Sequence, residues 1–448
     1  MFDRILIANR GEIALRILRA CKALGADTVC VYSDADSDAV YLRFATESIK
    51  IGPGPSAQSY LDMPRIISAA EIADVAAIHP GYGFLAENAE FAKVCRDCNF
   101  TFIGPSAENI NLMGNKAAAR ECARRSGVPI IPGSPSTVES EEQALEIALE
   151  IGFPVIIKAS AGGGGRGMRV ARNAEALKKA FGMARSEAEV AFKDPAVYIE
   201  KYLDSSRHIE IQIMGDKHGN VVHLGERDCT IQRRQQKLIE ESPSPSLSPE
   251  IRRAMGDAAC RLAREINYDS VGTVEFLMMP DGKTFYFIEM NTRIQVEHPV
   301  TEMVTGLDLL QEQIRIAAGE ELSFTQDDIR LEGHSIECRI NAEDPDNGFK
   351  PCPGRIGSYF TPGGPDVRVD SHAYAGYNIP SYYDSLIGKV IVHCATREEA
   401  IAAMTRALDE YIIGDIKTTI PLLKKVLSHE EFWRGDFDTG FIQKHFGS

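Results

Sequence analysis

The chain has 448 residues, 44% hydrophobic and 25% charged, enough for two to four domains with a sizeable core. A formal net charge of −15 argues against general binding to nucleic acid or to an anionic membrane, which needs a basic face, but leaves room for a local basic pocket. No apolar run approaches the roughly 20 residues of a membrane span. The start MFDRILIANRGE does not read as a signal peptide, and ten cysteines are scattered without a framework, so a cytoplasmic location is expected.

Residues 1–113 alternate strand and helix patterns, the signature of a parallel sheet wound with helices, and form a Rossmann-like N-terminal unit. RILIANRG reads as strand and turn, EIALRILRACKALG as a helix, and TVCVYS, VAAIHPGYG and FTFIGPS as later strands. Ligands of such sheets sit at the carboxyl ends of strands, so Asn9, Arg10, Gly11 and Glu12 and the turn 79–83 are candidate pocket walls. Simple chain reversal is the competing reading of both turns. Cys95 and Cys98 form one C-x-x-C at a helix end, without a second pair at zinc-site spacing.

A proline- and serine-rich stretch at 129–140 marks a boundary, and Ser140 with Gln143 forms a capping box for the helix EEQALEIALEI. Residues from about 130 to 205 form a compact α+β unit within a larger domain, 114–320. Its loop joins Lys158 through Gly162, Gly163, Gly164 and Gly165 to Arg166 between two strands. Glycines let backbone N–H groups approach a phosphate, and the two cations add fitting charge. The loop is neither a Walker loop nor a dinucleotide fingerprint, because a strand and not a helix follows. A plain surface loop is the alternative.

In ERDCTIQRRQQK (226–237), Arg233 and Arg234 read as solvated or ion-paired, and Lys237, a lone lysine, as a surface residue. Ser248 and Pro249 open the next helix as N-cap and N1. The strand patterns VGTVEFLMM and TFYFIEM are split by Pro-Asp-Gly-Lys, and a hairpin turning on 281–283 puts Glu275 directly opposite Glu289. Opposed carboxylates repel unless a divalent cation bridges them. Asn291 shares the face of Glu289, and three oxygen ligands with room for water and phosphate suit magnesium. A pair of solvated carboxylates is the rival reading, which the apolar neighbours disfavour. The same segment, IEMNTRIQVEHPVTE at 288–302, goes on to place Arg293, Gln295 and Glu297 on alternate positions, an arrangement for an oxyanion. From 330 to 446 the pattern is mostly β, with one helix capped by Thr396 and Glu399.

These motifs resemble the biotin carboxylase family, an ATP-grasp family, over essentially the whole length. The matching stretches include IANRGEIALRI, HPGYGFLAEN, IIKASAGGGGRGMR, RHIEIQI, ERDCTIQRRQQK, GTVEFL, IEMNTRIQVEHPVTE, HSIECRINAED and YYDSLIGK. The resemblance implies an α/β and α+β multidomain fold: an ATP-grasp domain between a Rossmann-like N-terminal (pre-ATP-grasp) domain and a mostly β C-terminal domain, with residues 130–205 as a mobile lid. It implies ATP, Mg2+ (or Mn2+) and carrier-bound biotin. ATP phosphorylates bicarbonate to carboxyphosphate, whose carbon dioxide carboxylates N1′ of biotin.

By resemblance, Glu275, Glu289 and Asn291 are metal ligands. Lys116, Lys158, Gly164, Gly165, Glu200, Lys201, Leu203, His208 and Gln232 contact the nucleotide. Lys237, Arg293 and the backbone of Val296, with Gln295 beside them, cradle bicarbonate. Glu297 is the base, for which a raised pKa would help. Arg339 stabilises the enolate of the biotin ureido group. One position departs: Gln235 stands where the family commonly has histidine, and it cannot carry charge.

The sequence holds no Met-Lys-Met biotin-attachment motif. The expectation is a homodimeric stand-alone subunit acting on a biotin carboxyl carrier protein and working with carboxyltransferase subunits. Acetyl-CoA is the expected final acceptor, for malonyl-CoA and fatty-acid synthesis. Other acceptors, a carboxylate–amine ligase of the same fold, and a catalytically silent nucleotide-binding subunit are the alternatives.

Overall fold

The computed structural model describes residues 1–160 and 168–447. The N-terminal unit is a five-stranded parallel sheet of β1 (Arg4–Ile7), β2 (Asp27–Ser33), β3 (Glu47–Gly52), β4 (Ala77–His79) and β5 (Thr101–Phe102), in the order β3-β2-β1-β4-β5. Ile5, Leu6, Ile7, Val29, Cys30 and Val31 are wholly buried, as a sheet covered by helices on both faces requires. The strand order reverses between β1 and β4. The turns after these two strands, at 8–12 and 80–83, therefore border one crevice. The edge strand β3 was not anticipated: only Ile51 in it is buried, so its apolar signal is weak.

The next unit is a small antiparallel sheet, β6 (Val155–Ala159), β7 (Arg169–Ala171) and β8 (Val197–Lys201), in the order β7-β6-β8. Helices Glu141–Ile151 and Ala174–Phe192 pack on it around their own core of Ala144, Ala148, Leu177 and Phe181. Ser140 caps the first helix by accepting from the Gln143 amide, but the Gln143 side chain returns to the Glu139 amide, so the box closes one residue early. The expected phosphate loop, with Gly164 and Gly165, lies outside the described residues.

The rest is built on an eight-stranded antiparallel sheet. Its strands are β9 (Arg207–Gly215), β10 (Val221–Arg233), β11 (Gln236–Ser242), β12 (Val271–Met278), β13 (Phe285–Asn291), β14 (His334–Asn341), Val367–Ser371 and Leu386–Cys394. The order is β13-β12-β9-β10-β11-β14, then Leu386–Cys394, then Val367–Ser371 at the edge. The sheet therefore runs unbroken across the boundary drawn at 320–330, through the pairing of β11 with β14. Helix Pro249–Glu265, capped by Ser248, covers one part. Helix Arg397–Glu410, with both bonds of its Thr396 and Glu399 capping box, covers another. The C-terminal region holds three further helices, Ile420–Leu427, Glu430–Arg434 and Phe441–Phe446, where one helix was expected. Each is eight residues or shorter, too short for helical periodicity to separate from a buried strand.

Two local devices shape the site. β10 and β11 are joined by a two-residue turn in which Arg234 (φ 46°) and Gln235 (φ 70°) both adopt left-handed backbone. This turn sets Gln232 across from Lys237. In the β12–β13 hairpin, Phe276 pairs with Phe287 but Glu275 pairs with Glu289. Ile288 is thus an extra residue, a bulge, and without it Glu275 would face an isoleucine.

Candidate active site

Glu275 and Glu289 stand opposite each other as expected, although the register comes from the bulge and not from a regular hairpin. Glu275 is buried and accepts at one oxygen from Asn291 Nδ2 (2.8 Å), Gln295 Nε2 (3.0 Å) and Lys237 Nζ (3.2 Å). His208 Nε2 lies 3.0 Å from its other oxygen, as an ion contact without hydrogen-bond alignment. Glu289 is less buried. Burial and then the neighbouring Glu275 charge push its carboxyl up, with Lys116 and His208 acting against the rise. A carboxylate pair that resists double ionisation and carries an amide oxygen beside it fits a divalent cation of the magnesium type. Two other groups could offer ligands, His208 with Glu210 and Glu275, and Glu210 with Cys229 and Glu297. The Lys237 ammonium bonds Glu210, Glu275 and Glu297, so it already serves as the cation for their carboxylates.

Lys237 is thus not the surface residue that its isolation in sequence suggested. Nζ donates to Glu210 (2.6 Å), Glu297 (2.6 Å) and Glu275 (3.2 Å). These carboxylates raise its pKa well above the usual lysine range against the opposing pull of burial. Arg339 on β14 donates Nε to Glu240 (2.6 Å) and Nη2 to Glu297 (2.8 Å). Glu297 precedes helix His298–Thr305 and is held between Lys237 and Arg339. The raised pKa expected of a general base is absent. Burial pushes Glu297 up, but Lys237, Arg339 and Arg227 together hold it well below the usual carboxylate range.

Arg293 donates Nε to Glu87 (2.9 Å) and Nη2 to the Asn291 side-chain oxygen (3.1 Å). Gln295 is buried and joins Glu275 to Arg227, whose Nη2 donates to it at 3.2 Å. The Val296 carbonyl accepts from the buried Lys389 (2.7 Å). Val296 and Arg339 line a cavity of about 580 Å³ with Tyr82, Gln236, Asp384 and Ser385. The turns at 9–12 and 82–83 line an adjoining cavity of about 300 Å³ that shares Tyr82.

Of the expected nucleotide contacts, Lys116 begins helix Lys116–Arg125, and Lys158 on β6 donates to Glu200 on β8 at 2.5 Å. Glu200 also contacts Arg120, so its carboxylate is taken up by two cations. The Lys201 ammonium donates to the carbonyls of Gly152 (3.0 Å) and Phe153 (2.9 Å) and is committed to its own unit. Leu203 is half-buried after β8, and Gln232 is half-buried beside the strained turn. Gln235 is exposed in that turn. Arg233 is buried and, among the described residues, has no ion-pair partner: it stacks 3.9 Å over the Phe349 ring and donates to the Gly348 carbonyl.

Several residues of the site escaped the sequence reading. Arg227 is wholly buried and donates to Glu210, Gln212, Thr273, Thr301 and Gln295. Glu210 holds both Arg227 and Lys237. The signal was present: His208, Glu210 and Gln212 alternate with isoleucines in RHIEIQI, the same one-faced polar pattern that marked 289–297. Glu87, Glu240 and Lys389 carry no such signal, because their partners are remote in sequence.

Residues 1–110 match the family described as "Biotin carboxylase, N-terminal domain", 115–325 "Carbamoyl-phosphate synthase L chain, ATP binding domain", and 337–444 "Biotin carboxylase C-terminal domain". The chain is 57% identical over 445 residues to biotin carboxylase 1 of Bacillus subtilis, covering 99% of each. Among solved structures it is similar to a Campylobacter jejuni biotin carboxylase in a β,γ-ATP complex, with a TM-score of 0.96, 51% identity and 99% of each chain covered. It is also similar to the biotin carboxylase domain dimer of the Hydrogenobacter thermophilus 2-oxoglutarate carboxylase, solved with MgADP, ADP and bicarbonate. That match has a TM-score of 0.94 and 50% identity, covering 99% of this chain and 98% of that one.

Proposed function

Because the chain belongs to the biotin carboxylase family of ATP-dependent ligases, we propose that it carboxylates biotin carried by a separate carrier protein, as the first half-reaction of acetyl-CoA carboxylase. The observation that carries this reading is the join of Lys237, Glu297 and Arg339 beside the opposed pair Glu275 and Glu289.

Glu275, Glu289 and Asn291 would hold magnesium, which when bound offsets the charge on the ATP phosphates. Lys116, Lys158 and His208 add positive charge on the same side. Arg293 and Lys237 bind and orient bicarbonate, which competes with Glu297 for the Lys237 ammonium. Drawing that ammonium away removes one of the charges that depress Glu297, so the base gains strength as its substrate arrives. Glu297 takes the bicarbonate proton, a bicarbonate oxygen attacks the γ-phosphorus, and ADP leaves. Carboxyphosphate then breaks to carbon dioxide and phosphate. Arg339 donates to the ureido oxygen of biotin as N1′ gives its proton to the released phosphate and takes up the carbon dioxide.

The test is bicarbonate-dependent ADP release with and without free biotin; absence of stimulation by biotin refutes the reading. Transfer of labelled bicarbonate to a biotinylated carrier, and then to acetyl-CoA through a carboxyltransferase, tests the acceptor. A 2-oxo acid acceptor is the second reading, favoured by the 50% identity to the 2-oxoglutarate carboxylase domain. A homodimer belongs to the same proposal, and sedimentation measures it.

A further inference from the structure

Behind Arg339 lies a buried pair of carboxylates that the mechanism above does not use. Glu240 on β11 and Glu337 on β14 are directly opposed across the ladder, and both side chains are wholly buried. Glu240 offers one oxygen to Arg339 Nε at 2.6 Å. Its other oxygen, and both oxygens of Glu337, find no partner among the described residues. Three orphaned carboxylate oxygens cannot be tolerated as two buried anions, and none of them is open to bulk solvent.

We propose that Glu240 is a positioning residue for Arg339, and that Glu337 stands behind it as a neutral carboxylic acid whose O–H serves the second oxygen of Glu240. This inference rests on the role given to Arg339 above.

The charges around Glu337 decide which carboxylate is neutral. Glu240 faces it from β11, Arg339 and Lys389 from β14 and Leu386–Cys394, and Glu297 from the start of helix His298–Thr305. The other face is covered by apolar residues of helix Arg397–Glu410, among them Ala400, Ile401 and Met404. Lys389 is committed elsewhere, to the Val296 carbonyl and to Glu12. Arg339 bonds Glu240 and not Glu337. Burial, with Glu240 and Glu297 adding to it, therefore drives Glu337 well above the usual carboxylate range despite Lys389 and Arg339. Burial also pushes Glu240 up, to about 7, with Glu297 adding to the rise and Arg339 and Lys237 opposing it. Of the two carboxylates Glu240 is the one that keeps the charge, because the Arg339 guanidinium touches it and not Glu337. With Nε held by Glu240 and Nη2 by Glu297, Arg339 keeps Nη1 without a partner among the described residues, on a side chain that lines the 580 Å³ cavity.

The experiment compares ADP release without biotin and biotin carboxylation in wild type, Glu240→Gln and Glu337→Gln, with thermal unfolding of each. Glu240→Gln is expected to lower biotin carboxylation about ten- to a hundredfold, as slack in a positioned group does, while biotin-independent ADP release stays within about twofold. Glu337→Gln is expected to leave both rates near wild type, because it replaces a neutral acid by a neutral isostere. Equal losses of both rates in Glu240→Gln, or wild-type carboxylation, overturn the inference. A wild type that ignores biotin would instead refute the function. Difference infrared spectra of wild type against Glu337→Gln read protonation without relying on activity or on Glu240→Gln folding. Loss of a carboxylic-acid C=O band at neutral pH is expected, and loss of a carboxylate band in its place overturns the assignment.

Discussion

Replacing Glu297 by glutamine separates chemistry from binding. The substitution keeps shape and removes one charge. Lys237 retains Glu210 at 2.6 Å and Glu275 at 3.2 Å, and Arg339 retains Glu240 at 2.6 Å, so neither cation is left bare. The amide oxygen can still accept from one of them, while its NH2 turns toward the other. One charge-assisted hydrogen bond is lost outright, at about 1.5–3 kcal/mol, which lowers the thermal midpoint without unfolding the protein. Loss of a positioned base costs about 10²–10⁴-fold in rate. Bicarbonate-dependent ADP release is therefore expected to fall by that factor while ATP binding, read by nucleotide fluorescence, persists.

The stability difference also depends on pH. Folding depresses the Glu297 pKa, so its contribution is fully present above the unfolded carboxylate value of about 4.3 and disappears as pH falls through the folded value. The thermal gap between wild type and Glu297→Gln is expected to close in acid below that point. Turnover within about threefold of wild type, far inside the range for general-base loss, would remove Glu297 from the mechanism. A gap that widened in acid would refute the ion-pair account.

Three further outcomes follow from the same geometry. Arg227→Met breaks a buried ion pair and four other hydrogen bonds; a loss of about 3–5 kcal/mol is expected, and an unchanged denaturant midpoint would contradict it. In Glu289→Gln the repulsion at Glu275 is relieved, so the metal-free protein is expected to melt higher than wild type. Magnesium is then expected to raise the wild-type midpoint more than that of the variant, and equal shifts would argue against this metal site. Gln235→Gly places glycine at φ 70° and is expected to stabilise the turn by about 1 kcal/mol; a drop in thermal midpoint would show that the side chain has a contact to lose.

Much of the site was legible before any coordinates, for a physical reason. Glu289, Asn291, Arg293, Gln295 and Glu297 sit within nine positions of one segment, so their gathering was legible. Alternation on a strand explains only Glu289 and Asn291, because β13 ends at Asn291 and the other three follow in a loop and turn. The Glu275 and Glu289 pairing was legible too, because a hairpin is local. Its cause was not: a regular register from the turn would have missed by one, and the bulge at Ile288 restores the pairing. Lys237 had no signal of its own. Its three carboxylates come from β9, β12 and the start of helix His298–Thr305, and its burial is a property of that convergence.

By itself, the sequence determined most of the strands and helices, though not β3 or the three short C-terminal helices, and, through its motifs, the family. Only the tertiary structure decided that β14 lies beside β11, which brings Arg339 to Glu297, and that Glu87, in the turn before helix Ala89–Asp97, reaches Arg293. It also decided that Glu297 is held low and Glu337 driven high, although both are buried glutamates. Residue type sets what a side chain can donate, accept or ionise. Its charge state is set by distances to groups tens or hundreds of residues away, and no local periodicity encodes those distances.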